Sequence, residues 1–120
     1  MNQPGPRMAD VMSAICPSRR ILNHVTSRWG MLILIALQDG TMRFSALRRR
    51  IGGASERMLA LSLQQLERDG FVERRALDVV PPHVEYRLTP LGAEVAVLVR
   101  ALAEWVEGNL PRLPRTALAD

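Results

Sequence analysis

No lysine occurs in this 120-residue chain; all 16 of its basic residues are arginine. Coding bias of a GC-rich genome is one source of that choice. The physical consequence holds either way: each cation is a planar fork able to hold phosphate or guanine bidentately. Cysteine is almost missing as well. One residue, Cys16, makes no disulfide within the chain, so nothing calls for an oxidising compartment. Long apolar runs are also lacking. The longest, Met31 to Leu37, has seven residues, whereas a bilayer span needs roughly 20. The opening residues include Arg7 and Asp10 and lack the apolar stretch of a secretory signal. The expectation is a cytoplasmic protein with no membrane partner. Histidine is limited to His24 and His83, far apart in the chain. No metal-ligand spacing, phosphate-cradling glycine loop or nucleophile elbow is found. The sequence therefore predicts no metal, no cofactor and no enzymatic site. His24 reads as a polar edge of the core.

What is present is an uneven charge. Arg43, Arg48, Arg49, Arg50 and Arg57 against Glu56 give +4 across residues 43–57. The part before residue 29 carries +3, and residues 90–120 carry −1. Such asymmetry points to a polyanionic partner. By length the chain is one domain, with a core of useful size but no room for a second catalytic domain.

Residues 1–14 include Pro4, Gly5 and Pro6 and read as a flexible arm. A domain over 15–108 and a frayed tail over 109–120 follow. Cys16-Pro17 reads as a helix start, since proline suits the first helical position. That helix runs to about Val25, with Ile21, Leu22 and Val25 on one face. Thr26 or Ser27 caps the next helix, in which Trp29, Leu32, Ile33, Ala36 and Leu37 are spaced for burial. Thr41-Met42-Arg43 is at most a bridging strand.

The next segment is the most informative. Phe44, Leu47 and Ile51 fall at i, i+3 and i+7, so Arg48, Arg49 and Arg50 fan out around the rest of that helix. Gly52-Gly53 breaks it. Ser55 caps a second helix that runs to Asp69 and is closed by Gly70. Leu59, Leu63 and Leu66 form its buried stripe. The opposite face carries Arg57, Ala60, Leu61, Gln64 and Arg68. Phe71–Asp78 and Val84–Leu88 read as strands joined by a stiff loop, Val79-Val80-Pro81-Pro82-His83. Two short helices, a tight turn and a charged hairpin fit the major groove of DNA and its flanking phosphates. Thr89-Pro90 opens the last helix, which Pro111 is expected to stop. Leu91, Val95, Leu98, Leu102 and Val106 form its stripe. Trp105 and further apolar residues widen that stripe beyond what one small domain covers, which suggests a second copy.

These residues resemble the HxlR family of bacterial winged helix-turn-helix transcription regulators. The matching pieces are Cys16-Pro17, the Trp29 helix, Arg43-Phe44 with Leu47, Ser55 with Met58-Leu59, Leu63 and Leu66-Glu67, then Gly70. The most diagnostic run is Pro81-Pro82-His83-Val84-Glu85-Tyr86, continued by Leu88-Thr89-Pro90-Leu91-Gly92. The resemblance covers residues 16 to about 107. It implies a mainly α fold with a small β-hairpin, a winged helix-turn-helix with extra N- and C-terminal dimerisation helices. It also implies a homodimer and a recognition helix in the major groove. Family members usually carry a charged or polar residue where this chain has Ala60 and Leu61, so base preference does not transfer.

The site expectations follow from this frame. Ser55, Arg57, Ala60, Leu61 and Gln64 are expected at base edges. Arg43, Arg48, Arg49, Arg50, Arg68, Arg74, Arg75, His83 and Arg87 are expected at phosphates or on the wing. Arg74 and Arg75 alternate along a strand, so at most one of them is expected to face the groove, while the other packs or pairs. Ile21, Leu98, Leu102, Trp105 and Val106 are expected at the dimer interface. The expected partners are double-stranded DNA, as an inverted-repeat operator, and a second copy of the chain. An oxidant or small-molecule effector is a further option. Cys16, with Arg19 and Arg20 beside it, has surroundings that favour thiolate, so a redox-sensor role stands beside a plain packing role. The alternative function is a winged-helix protein-interaction module without DNA binding, against which Arg48 to Arg50 argue.

Overall fold

A computed structural model describes residues 10–119. Most of the arm expected over 1–14 therefore lies outside the described residues. Helix α1 (Pro17–Val25) begins on Cys16 with proline at its first position. Helix α2 (Arg28–Ala36) is capped by Ser27, whose hydroxyl accepts from the Gly30 amide at 3.1 Å. Thr26 turns back instead, donating to the Leu22 carbonyl. A 3-10 turn, Leu37–Asp39, leads to strand β1 (Met42–Arg43), helix α3 (Phe44–Arg50) and helix α4 (Glu56–Arg68). Strands β2 (Val72–Leu77) and β3 (His83–Leu88) follow, then helix α5 (Pro90–Gly108). The three strands form an antiparallel sheet in the order β1-β3-β2, with Met42 opposite Tyr86 and Glu73 opposite Arg87.

The periodicity of the helix pair is realised in the core. Leu47, Leu59, Leu63 and Leu66 are fully buried against Ile33 and Leu34 of α2. Each such leucine or isoleucine contributes about 1.5–3 kcal/mol on burial. Ser55 caps α4, accepting from the Met58 amide at 3.1 Å. Gly70 ends it with φ of 88°, a left-handed conformation that glycine adopts without strain. Thr89 then joins two elements. Its hydroxyl donates to the Gly70 carbonyl at 2.6 Å and accepts from the Gly92 amide at 3.0 Å, which starts α5. A Cβ on Gly92 would lie 1.9 Å from the Phe71 carbonyl oxygen, so only glycine lets α5 approach so closely here.

Three expectations are corrected. Helix α5 ends at Gly108 and not at Pro111: the Asn109 backbone N–H bonds the Val106 carbonyl, three residues back, while its side-chain Nδ2 donates to the Trp105 carbonyl, and the ladder stops there. The tail is not frayed throughout, because a 3-10 turn (Leu110–Arg112) and a short helix α6 (Arg115–Leu118) follow. The stripe of α5 is turned outward. Its buried residues are Gly92, Ala96 and Val99, because close packing against α2 and, at Gly92, against the Phe71 carbonyl admits small side chains. Leu91, Leu98, Leu102 and Val106 are exposed, and Val95 is half-buried.

Candidate nucleic-acid interface

The surface made by α3, α4 and the β2–β3 hairpin gathers most of the predicted cations. At about 100° per residue, Arg57, Leu61, Gln64 and Arg68 fall on one narrow stripe of α4, and Ala60 sits at its edge. All but Ala60 are exposed, and Ala60 is half-buried. Ser55, also exposed, stands at the N-terminal end. Arg57 and Arg68 are about 16 Å apart along the axis at 1.5 Å per residue. They are therefore separate contacts at opposite ends of the helix.

The arginines divide by what they touch. Arg48, Arg49, Arg57, Arg68, Arg74 and Arg75 are exposed, and no acidic partner lies within ion-pair distance of them among the described residues. Arg50 is held 3.7 Å from Asp39, an exposed pair of small energetic weight. Arg87 is paired with Glu73 across the hairpin. Arg43 donates from Nη2 to His83 Nδ1 at 2.8 Å, and His83 Nε2 lies 3.3 Å from Glu85 Oε2. His83 is thus half-buried in a polar chain linking β1 to β3, not at a loop tip. The expectation that one of Arg74 and Arg75 packs or pairs fails: both are exposed, and neither has an acidic partner within ion-pair distance among the described residues. Along β2 every residue from Glu73 to Ala76 is exposed, on both faces of the strand, between buried Val72 and half-buried Leu77.

A second surface lies on α5. Leu98 (68% exposed), Leu102 (51%), Trp105 (54%) and Val106 (42%) share one face. With Leu91 they form an apolar strip about 22 Å long at 1.5 Å per residue. Single exposed apolar side chains are ordinary, but a contiguous strip marks an interaction face. Ile21 on α1 is half-buried.

Cys16 is 3% exposed, and its sulfur bonds the Ser18 hydroxyl. Burial pushes the thiol up, but hydrogen bonding from the Ser18 side chain and from the backbone of Arg19, Ser18 and Asp10 outweighs it and leaves the thiol below its usual value. The cause expected from sequence was the charge of Arg19 and Arg20; the cause found is hydrogen bonding at the start of the helix.

Sequence reasoning missed two features of this region. His24 Nδ1 lies 2.5 Å from Asp69 Oδ2, and the Asp69 side chain is 6% exposed. This link fixes the end of α1 to the end of α4. The partners are 45 residues apart, so no local pattern announces it. The other is a cleft between the first turn of α2 and the flank of α4, lined by Arg28, Trp29, Met58, Leu61, Ser62 and Gln65 among others.

Comparison with known proteins agrees with this geometry. Over 98 residues the chain is 67% identical to the HTH-type transcriptional regulator YtfH of Escherichia coli (strain K12), covering 82% of this chain and 78% of the relative. The fold superposes on the transcriptional regulator ytfH from Salmonella typhimurium with a TM-score of 0.80 and 64% identity, over 84% of this chain and 90% of that one. It superposes on the reduced form of the redox regulator HypR with a TM-score of 0.69 and 36% identity, over 78% of this chain and 92% of that one. Residues 24–114 match the family model described as HxlR-like helix-turn-helix. Three antiparallel strands, a helix pair with an arginine-bearing outer stripe and these likenesses lead to one assignment: the chain belongs to the HxlR-like helix-turn-helix family.

Proposed function

We propose that this protein is a sequence-specific DNA-binding transcription regulator that works in the cytoplasm as a homodimer. One observation carries the reading. The stripe of α4 that faces away from the core bears Arg57, Leu61, Gln64 and Arg68, all exposed, and its cations have no acidic partner among the described residues. A helix of this kind enters the major groove with its N-terminal residues at base edges. Arg57 is placed for guanine and Gln64 for adenine, while Ala60 and Leu61 suit a thymine methyl. The dipole and the open N–H groups at the start of α4 favour the phosphate side of the groove.

Arg48 and Arg49 hold phosphates beside the groove, and Arg74 and Arg75 do so from the wing. These contacts give affinity and orientation, and the base contacts give choice. Arg43, Arg50, Arg87 and His83 already have partners within the fold, so they steady the frame and contribute less to phosphate binding. The α5 strip of Leu98, Leu102, Trp105 and Val106, with Ile21 of α1, closes the dimer. A two-fold dimer reads an inverted repeat with half-sites about one helical turn apart, or a multiple of it.

A second element rests on Cys16. The lowered thiol at the start of α1, together with the likeness to the redox regulator HypR, supports an oxidant-responsive role. Oxidation at the head of α1 would be felt where His24 ties α1 to α4.

Selection of bound duplexes from a random pool tests the main reading. An inverted repeat should emerge with the wild-type chain. In Arg57→Ala one base position per half-site should relax, at about 1–3 kcal/mol. An unchanged preference in that variant contradicts the placement of α4.

A further inference from the structure

We infer that His83 is a positioning residue: its neutral ring holds Arg43 against the wing, and the protonated ring releases Arg43 to a DNA phosphate. The release to phosphate rests on the DNA reading proposed above, whereas the tie itself belongs to the free protein. Donor and acceptor chemistry fixes the tie. A guanidinium has N–H donors and no acceptor. Arg43 Nη2 lies 2.8 Å from His83 Nδ1, so Nδ1 accepts and carries no proton. The ring proton then sits on Nε2, which lies 3.3 Å from Glu85 Oε2 and donates to it. Both ring nitrogens are engaged, and the ring is neutral.

A proton entering at Nδ1 removes the acceptor and sets two cations face to face. Glu85 keeps the ring, because the imidazolium Nε2–H still donates to it, now as a charge-assisted bond. Arg43 is the partner that leaves. It is exposed, and no acidic side chain lies within ion-pair distance of it among the described residues. It also stands at the start of α3, the helix that carries Arg48 and Arg49. A freed Arg43 therefore joins the cations that face the phosphates.

The neighbouring charges leave this exchange to His83, Arg43 and Glu85. On β2, Leu77 stands opposite His83 and Arg75 opposite Glu85; Arg75 is exposed. Glu73 and Arg87, farther along the hairpin, pair with each other. The 3-10 turn and α3 also pack on β3, and their Asp39 and Arg50 pair with each other. Helix α5 meets β3 at Leu88, the end of the strand away from His83, and its Glu94 is exposed. Histidine is the side chain whose charge changes between about pH 5 and 8. The sign follows. At the upper end the ring is neutral and Arg43 is held; at the lower end Arg43 is free and duplex binding gains a cation per subunit.

The experiment measures the salt slope of the full chain on a labelled duplex at about pH 8 and about pH 5, the two ends of the histidine range. One released arginine in each subunit of a dimer should steepen the slope by about 1.8 at the lower pH. His83→Gln keeps an acceptor for Arg43 and does not titrate; Arg43→Gln removes the cation. The wild-type steepening should exceed that of either variant by about 1.8, since changes common to all three belong to other groups such as His24. Equal steepening in wild type and His83→Gln overturns the role of the ring. Full steepening in Arg43→Gln overturns positioning through Arg43. The tie is read without DNA from the ring nitrogens by NMR at about pH 8. With two histidines in the chain, the signals lost in His83→Gln are those of His83. An unprotonated Nδ1 and a protonated Nε2 are expected; a protonated Nδ1, or a mixture of the two tautomers, overturns the tie. A chain that binds no duplex at either pH overturns the DNA reading and with it the release to phosphate, whereas the wrong tautomer beside normal duplex binding overturns the tie alone.

Discussion

Replacing Arg48 with alanine in both subunits of a dimer removes two cations from the DNA-facing surface. Arg48 is exposed and has no acidic partner among the described residues, so its loss leaves no buried or unpaired acid behind. The effect is therefore on binding and not on folding. Each neutralised phosphate contributes about −0.9 to the log–log salt slope. Arg48, Arg49 and Arg68 give three phosphate contacts per subunit, and the helix pairs of a dimer then supply a slope of about −5. Arg48→Ala should reduce its magnitude by about 1.8. Between 50 and 200 mM salt the helix-pair contribution of the native chain falls about 10³-fold, and that of the variant roughly tenfold less. Fluorescence anisotropy of a labelled duplex across that range reads the slope directly. Arg112→Ala is the control, since Arg112 follows α5 and bonds Asn109; its slope should equal the native one. A native slope in Arg48→Ala, or an equal loss in Arg112→Ala, refutes the assignment of phosphate contacts to the helix pair.

Three further outcomes are expected. Leu102→Glu removes a leucine worth about 1.5–3 kcal/mol per copy when buried, so with both copies changed sedimentation should show dimer dissociation enhanced about 10²–10⁴-fold; an unchanged dimer constant moves the interface off α5. Gly92→Ala places a Cβ against the Phe71 carbonyl oxygen, and urea unfolding should show a loss of about 1–3 kcal/mol; an unchanged midpoint contradicts the close approach of α5. For Cys16, the lowered thiol means that thiolate, and with it the alkylation rate, rises to its plateau at lower pH than in an ordinary cysteine. The midpoint in the folded chain should fall below about 8.5 and return there in urea; a folded midpoint at or above that value removes the basis for a sensor.

The helix pair was legible because its signals are local. Ser55 and Thr89 cap, Gly70 stops, and Leu47, Leu59, Leu63 and Leu66 repeat at helical spacing and are buried. The face of α5 was not legible from spacing. Apolar residues surround that helix, and size alone assigns Leu98 and Leu102 inward; the packing on α2 selects Ala96 and Val99 instead, and the Phe71 carbonyl selects Gly92. Alternation misled at Arg74 and Arg75 because a strand has an inside only where something covers it. The ties of His24 to Asp69 and of Arg43 to His83 join residues 45 and 40 positions apart, and only the folded chain brings them together. Of the cleft residues, Trp29 was assigned to the core and Leu61 to base contact, and both sit at its edge.

Mass per complex on one short duplex tests the central claim most directly. Sedimentation at low ionic strength, with a duplex carrying a single selected site, should give two chains per duplex, and the complex should dissolve as salt is raised. A chain that stays monomeric and leaves the duplex unbound at the lowest salt contradicts the account.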